Sequence, residues 1–536
     1  MTMKKIASLF IAGLLLANVS CKESEFTNAY PDPSKIAQTT VEKQFTGVLF
    51  SNREYVLPGY RHYFVTLRTS LNHYNQATGW INESGQYIPG SSGVEDVWFN
   101  YYNTLAQYRE LQKVYAALPE DQQNDRRIFM LAAAVYVYDY TQKMVDVHGA
   151  IPFSEAGTLS TKGGDYVASS AKFDTAESIY TFMLDDLKSI ATELNSITLN
   201  AGYQQSFQTQ DFVNKGDVTA WKRYANSLRL RMLNRVSDVE SFKARSNTEM
   251  AEILGNATTY PVVETNAQNI QINVFDINTD INSKGFQSGI ASTDGNWFGN
   301  TAGKAIIDNM KTNSDPRLPI LFEPGANAAG EYIGIDPMAT EAAQTALFNA
   351  GRVAIYNRYT LSHNQFFPGV LINAAQMNLI KAEYYLRVGN DASAKTAYET
   401  AIGQSVEFYN KILSITNATG ITNSTIPAQA TQASVTAYIA GKGVNWSSAT
   451  TSADKLKLIA TQKWLHYNIV QPYDNWADIR RLDYPVLSFQ TDNANNQTLP
   501  PLRWSIPGNE ITYNATNYEA VRSTDKLTNK IFWDVK

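Results

Sequence analysis

Met377-Asn378-Leu379-Ile380-Lys381-Ala382-Glu383-Tyr384-Tyr385-Leu386-Arg387 runs into Val388-Gly389-Asn390-Asp391, and Ala392-Ser393-Ala394-Lys395-Thr396-Ala397-Tyr398-Glu399-Thr400-Ala401 follows. Met377, Ile380 and Tyr384 fall at steps of three and four. Ala394, Tyr398 and Ala401 repeat that spacing beyond the turn. Each stretch therefore reads as a helix with one apolar stripe. A Gly-Asn-Asp turn this short sends the second helix back along the first, and the alanines let the two approach closely. Helix-on-helix packing is thus the expected building unit.

The same period recurs on both sides of this hairpin. Between Asp125 and Val147, the run Ile128-Phe129-Met130-Leu131-Ala132-Ala133-Ala134-Val135-Tyr136 is apolar on every face, as in a helix enclosed by others. Ile179, Met183, Leu187, Ile190 and Leu194 form a stripe that Asp174 and Glu177 open like a capping box. Trp221, Ala225, Leu228, Met232 and Val236 form another behind Gly216-Asp217, and a last helix is expected from Asp454 to Ile469. The hairpin resembles a tetratricopeptide unit, yet no clean 34-residue self-repeat is present. Between the helices lie Gly/Asn/Ser/Thr-rich stretches at 75–93, 255–304, 323–351 and 417–450, longer than structureless connections usually run, which points to function or small local structure. Within them the alternation Ile270, Ile272, Val274 predicts a short strand.

Composition removes several classes of function. A net charge of −5 gives no basic excess for nucleic acid. Cys21 is the single cysteine, so disulfides within the chain and thiolate metal sites are excluded. It follows Lys4-Lys5, an apolar run from Ile6 to Ala17, and Asn18-Val19-Ser20. That is the pattern of a secretory signal ending at a cysteine that can carry a lipid, although Asn18 stands where an aliphatic residue is usual. The run is too short to span a bilayer. Residues 1–20 are read as signal peptide, 21–40 as lipidated cysteine and tether, and 41–536 as one structural unit. An ordinary secreted chain with a stray cysteine is the plain alternative.

Five segments together resemble the SusD/RagB family of nutrient-binding lipoproteins. They are Asp146-Val147-His148-Gly149-Ala150-Ile151-Pro152-Phe153-Ser154-Glu155-Ala156, Trp221 to Arg231, Leu379 to Arg387, Gln462-Lys463-Trp464 with Asn475-Trp476-Ala477-Asp478-Ile479-Arg480-Arg481, and Pro501 to Glu510. They stand in family order; His148 departs from the larger aromatic residue of relatives. The resemblance implies a mostly α SusD-like fold, with four tetratricopeptide-like helix pairs packed against an irregular loop-rich half. It also implies an outer-membrane lipoprotein that binds glycan or other nutrient oligomers and delivers them to a SusC-type TonB-dependent transporter, without turnover and without a cofactor. Lys22-Glu23-Ser24-Glu25 is similar to the tag of surface-exposed lipoproteins, which implies an outward-facing position. A periplasm-facing helical protein-interaction lipoprotein and a glycosidase are the rival readings.

The residues themselves offer little for catalysis. His62, His73, His148, His363 and His466 show no zinc spacing, and there is no nucleophile elbow or phosphate loop. Asp478, Arg480, Arg481 and Asp483 read as a structural ion-pair network, and Arg229 and Arg231 with Glu383 as buried pairs tying helices. For a ligand, aromatic rings in the loop-rich stretches are the candidates. Trp297 and Phe298 come first, flanked by Gly295, Asn296, Gly299 and Asn300, followed by Trp80 and Tyr87, with Trp446 an outside choice. Each could equally be a packing anchor for its own loop. Trp98, Trp221, Trp464 and Trp476 are expected in the core.

Overall fold

A computed structural model of the chain describes residues 39–291, 300–494 and 496–536. Cys21, Trp297 and Phe298 lie outside the described residues, as do 1–20 and most of the tether.

The principal helices pack in pairs. Helix α1 (Val41–Ser51) starts at Thr40, whose hydroxyl accepts the Lys43 N–H, and lies against α2 (Ser91–Ala116) and α3 (Glu120–His148). Only Ala117-Leu118-Pro119 separates α2 from α3, and a Pro just before a helix suits its missing N–H. Helix α3 is buried on every side from Ile128 to Gln142, as its unbroken apolar run predicts. Helix α4 (Ala176–Glu193) packs on α5 (Val218–Arg235), which Asp217 opens by accepting the Thr219 and Ala220 N–H groups. The hairpin of the opening stretch is α6 (Ala374–Arg387) and α7 (Asp391–Ser414), with Asn390 as cap. Helices α8 (Ser452–Tyr467) and α9 (Pro472–Leu482) close the series. No helix among the described residues is long and apolar enough to cross a membrane.

One expected cap is displaced. Helix α4 starts one residue later than read, at Thr175, whose hydroxyl accepts the Ser178 N–H. Asp174 is used elsewhere: its carboxylate takes the Phe153 and Ser154 N–H groups at 3.0 and 2.8 Å, at the pairing of β1 (Ile151–Pro152) with β2 (Phe173–Asp174).

The helices are cross-linked by a buried ionic network. Arg231 meets Asp139 at 2.8 Å, and Lys143 meets the same carboxylate at 2.9 Å. Arg235 reaches Asp478 at 2.7 Å, Asp146 at 3.3 Å and Asp474 at 3.4 Å. Lys463 and Arg481 both hold Glu383, at 2.6 Å each, and both reach Asp478 at 3.1 Å. Five cations face five carboxylates, so the charges of the network cancel. Burial raises Asp478 and Glu383, but the surrounding cations outweigh it, holding Asp478 down at about 2 and Glu383 well below the usual range. The sequence reading located buried pairs but assigned two partners wrongly. Arg229 pairs with Glu249 and Arg231 with Asp139, while Glu383 belongs to Arg481 and Lys463. Asp483 is exposed at the end of α9, and Arg480 stacks at 3.6 Å over Trp476. Helix period shows which face is buried, but not which neighbouring helix supplies the counter-charge.

The loop-rich part is built from short helices and two-stranded sheets on a second apolar cluster containing Tyr63, Phe286, Phe322, Tyr356, Phe408 and Trp464. Here β3 (Ile270–Ile272) pairs with β6 (Gly369–Ile372), and β4 (Phe322–Glu323) with β5 (Ile355–Tyr356). The predicted strand at Ile270 is thus present, in a two-stranded antiparallel pairing. The C-terminal segment returns to α3: the Trp504 N–H binds Val147 O at 2.7 Å, and the Trp533 indole donates to Asp146 at 2.8 Å.

Candidate functional site

Among the described residues, one line of rings runs from the surface into the loop-rich part. It starts on the π-helical turns His62–Leu67, where the Arg68 N–H binds Tyr63 O. Such turns are uncommon and are found frequently at functional sites. Tyr60, Phe64 and Arg68 are spaced by four, and the widened turn stacks them: the Tyr60 and Phe64 rings lie 5.4 Å apart and 14° from parallel. The Arg68 guanidinium sits 4.2 Å from the centre of Phe64 and 5.0 Å from that of Trp80, bridging the two rings. His73 continues the line, 4.7 Å from Trp80 and 5.5 Å from Tyr87, within 20° of parallel to each. Tyr60 is 48% exposed, Phe64, Arg68 and Trp80 are half-buried, and His73 and Tyr87 are buried.

The sequence reading named two rungs of this ladder, Trp80 and Tyr87, and the structure joins them through His73. Tyr87 stands behind as a support, its hydroxyl donating to Gln490 O at 2.7 Å. Tyr60, Phe64, Arg68 and His73 were missed. The four-residue spacing of the first three was the available signal, but it looks like any helix face until Trp80 is seen against it. Trp446 is a core residue, 1% exposed in a cluster with Tyr398 and Ile459, its indole N–H reaching Asp391 at 3.2 Å. Trp98, Trp221, Trp464 and Trp476 are all buried, as expected.

The ladder is held from behind by helix α8 and strand β5. The Trp464 indole donates to Asn75 O at 2.7 Å, and the Tyr356 hydroxyl to Ala77 O at 2.6 Å. The Trp80 loop is pressed against the stretch at 301–303: the Gly79 N–H binds Thr301 O at 2.8 Å. A Cβ on Gly79 would fall 2.5 Å from Ala302 O, and one on Gly303 2.5 Å from Gln76 O, so both positions require glycine. Asn82 ties the loop to Pro337 O and Ala339 O at 2.9 and 3.0 Å.

Electrostatically the ladder carries one cation. Burial, with Arg68 adding to it, lowers His73 to about 3, so the imidazole is neutral at physiological pH. Burial, helped by Asp492, pushes Tyr87 up to about 12. Several enclosed polar atoms have no partner here: His73 Nδ1, Thr78 Oγ1, Trp80 Nε1, Gln86 Oε1 and Asn300 Oδ1. Buried polar groups are nearly always paired, so a cluster of exceptions beside stacked rings marks a place not optimised for stability. Flat apolar rings fit the C–H faces of sugar rings, and the guanidinium can donate to hydroxyls. Among the described residues no three His, Cys, Asp or Glu side chains are placed to hold a metal.

A family model described as "Starch-binding associating with outer membrane" matches residues 38–507. Solved structures share the fold. One named a chitin-binding protein is 22% identical, with TM-score 0.72, over 92% of this chain and 100% of its own. A chitin-binding SusD homologue from Flavobacterium johnsoniae is 20% identical, with TM-score 0.70, over 92% and 99%. A SusD homologue from Bacteroides fragilis is 20% identical, with TM-score 0.70, over 92% and 100%. No curated protein matches the chain.

Proposed function

Because the chain belongs to the SusD-like family of starch-binding, outer-membrane-associated proteins, we propose that it is a lipoprotein that captures glycan oligomers on the ladder from Tyr60 to Trp80. The observation that carries this reading is the ladder itself: parallel rings bridged by a guanidinium, reaching the surface at Tyr60. Trp297 and Phe298 stand in the chain just before Asn300-Thr301, which meets Gly79 beside Trp80, and they are proposed as further contacts to the same ligand. Cys21 carries the lipid, the body faces the cell exterior, and the bound oligomer passes to a SusC-type TonB-dependent transporter. The protein binds and does not cleave. Two similar structures are named for chitin binding, which makes N-acetylglucosamine oligomers the first ligands to try.

Calorimetric titration of the mature chain with chitohexaose, maltohexaose and cellohexaose tests the reading. At least one hexasaccharide should bind, and Trp80→Ala should weaken it at least tenfold. No binding to any, or shortened products on incubation, would overturn it. In cells, Cys21→Ala should release the protein from the membrane fraction, since one acidic body has little other affinity for lipid. Protease added to intact cells should digest the wild type, whereas survival would place it on the periplasmic side. Affinity purification of the tagged wild type from detergent-solubilised membranes should retain the transporter.

A further inference from the structure

The strand at Ile270 has a second face that the ladder does not use. Ile270, Ile272 and Val274 point inward, at 1%, 0% and 7% exposure. Successive side chains of a strand alternate, so Asn269, Gln271, Asn273 and Phe275 are directed the other way. They line a cavity of about 460 Å³, to which Val274, Phe366, Phe408, Ile412 and Ile415 add apolar wall and Lys411 a charge. That volume lies in the range of small-molecule sites. It shares no residue with the ladder. Helix Lys284–Ile290 connects the two: a Cβ on its Gly285 or Gly289 would meet Gly59, Tyr60 and Tyr63, while its Gln287 accepts from Gln365 at 3.1 Å, next to Phe366.

The polar groups of this cavity are not all consumed by one another. The Asn266 amide donates to Gln404 O and Glu407, and Asn269 Oδ1 accepts the Ala374 N–H, so these two are structural. Gln271 Nε2 donates to Asn273 Oδ1 at 2.6 Å, and that leaves Gln271 Oε1 enclosed with no partner. The Gln271–Asn273 pair presents a side-chain amide edge along this wall of the cavity. Beside it stands Phe275, 71% exposed, with the Lys215 ammonium 4.9 Å from the centre of its ring.

We propose that Gln271, Asn273 and Phe275 form a second saccharide subsite, in which sugar hydroxyls bond the Gln271–Asn273 amide pair and the apolar face of the ring lies on Phe275. This rests on the glycan reading above and adds a separate location for a one- or two-ring segment. Lys411 in the lining and Lys215 over the Phe275 ring supply ammonium donors for sugar oxygens, and the amides of Gln271 and Asn273 suit a polyhydroxylated ring.

The test uses the mature chain with Trp80→Ala, which weakens the ladder, titrated with diacetylchitobiose, maltose and cellobiose. One disaccharide should still bind, and adding Gln271→Ala with Phe275→Ala should weaken it at least tenfold. Melting temperatures should stay close to the parent, because both side chains face outward from the strand. Wild-type binding of hexasaccharides, together with disaccharide binding that is absent or indifferent to the two substitutions, would overturn the subsite and leave the ladder standing. A wild type that binds no saccharide removes both. Binding of a neutral tripeptide such as trialanine that depends on Gln271 would overturn the sugar assignment in favour of a peptide.

Discussion

The ionic network between the helices and the ring ladder at the surface treat polar groups in opposite ways. Between α3, α5, α6, α8 and α9, each buried carboxylate of the network has its cation and the charges cancel. Around Trp80 the side chains are as enclosed, yet a histidine nitrogen, a threonine hydroxyl, an indole N–H and two side-chain amide oxygens have no partner. The first arrangement ties helices in one geometry, since removing either member of a pair strands the other in low dielectric. The second retains polar capacity beside an apolar platform. The difference is between charges neutralised across helices and uncharged polar atoms left unpaired beside stacked rings.

Acid should expose this contrast most strongly. Burial lowers His62, His73, His148 and His466 to about 3 each, from an ordinary value near 6.5. The unfolded chain then binds more protons than the folded one between pH 6.5 and 3, so stability is complete above about 6.5 and falls with pH through that window. By pH 4 the four together withdraw on the order of 10 kcal/mol, comparable with the whole stability of a typical domain. Of the network's carboxylates, Asp139 and Asp478 are still charged there, titrating at about 2, and Glu383 lies well below the usual range, whereas burial raises Asp146. Acid unfolding followed by circular dichroism should therefore have its midpoint between pH 4 and 6.5. A midpoint below pH 4 would mean that the imidazoles are not enclosed as described.

Breaking the network at its most shared carboxylate comes next. Glu383→Ala leaves Arg481 and Lys463 facing Asp478 alone, and should cost about 3–5 kcal/mol in urea unfolding. A cost below about 1 kcal/mol would show that the helices are held by apolar packing only. Trp464→Ala joins the two regions. It empties core volume, for about 3–5 kcal/mol, and removes the donor that holds Asn75 O behind the ladder. Melting temperature should fall and saccharide affinity should weaken with it, and unchanged affinity in the folded fraction would uncouple the ladder from its support. Trp80→Ala should do the reverse: about 2 kcal/mol of binding, roughly thirtyfold, with a small change in melting temperature. Calorimetry and thermal unfolding of the two tryptophan variants side by side separate these roles.

Much of the helical part was legible in the chain. Period located α4, α5 and the α6–α7 hairpin, because an apolar stripe at steps of three and four has one stable solution, a helix packed against others, and an unbroken apolar run located α3. The core tryptophans were assigned for the same reason. The ladder was legible only in fragments. Trp80 and Tyr87 stood out as rings in a loop, but His73, the ring between them, looked like a lone histidine. Trp446, the outside choice, is core, because composition cannot say whether a loop folds over its own ring. The polar side of the Ile270 strand was visible as alternation, though not the cavity it faces.

By itself, the sequence determined which segments are helices, which faces of them are buried, and the resemblance to a family, since these depend on residues close together in the chain. Only the tertiary structure decided which charges neutralise one another and which rings stack. Glu383 meets Arg481 across 98 positions, and Gln490 receives the Tyr87 hydroxyl across 403. A hydrogen bond or a stacked pair is fixed to tenths of an ångström by the packing of whole helices. No local period carries that information, because the partner is chosen by where the rest of the chain happens to return.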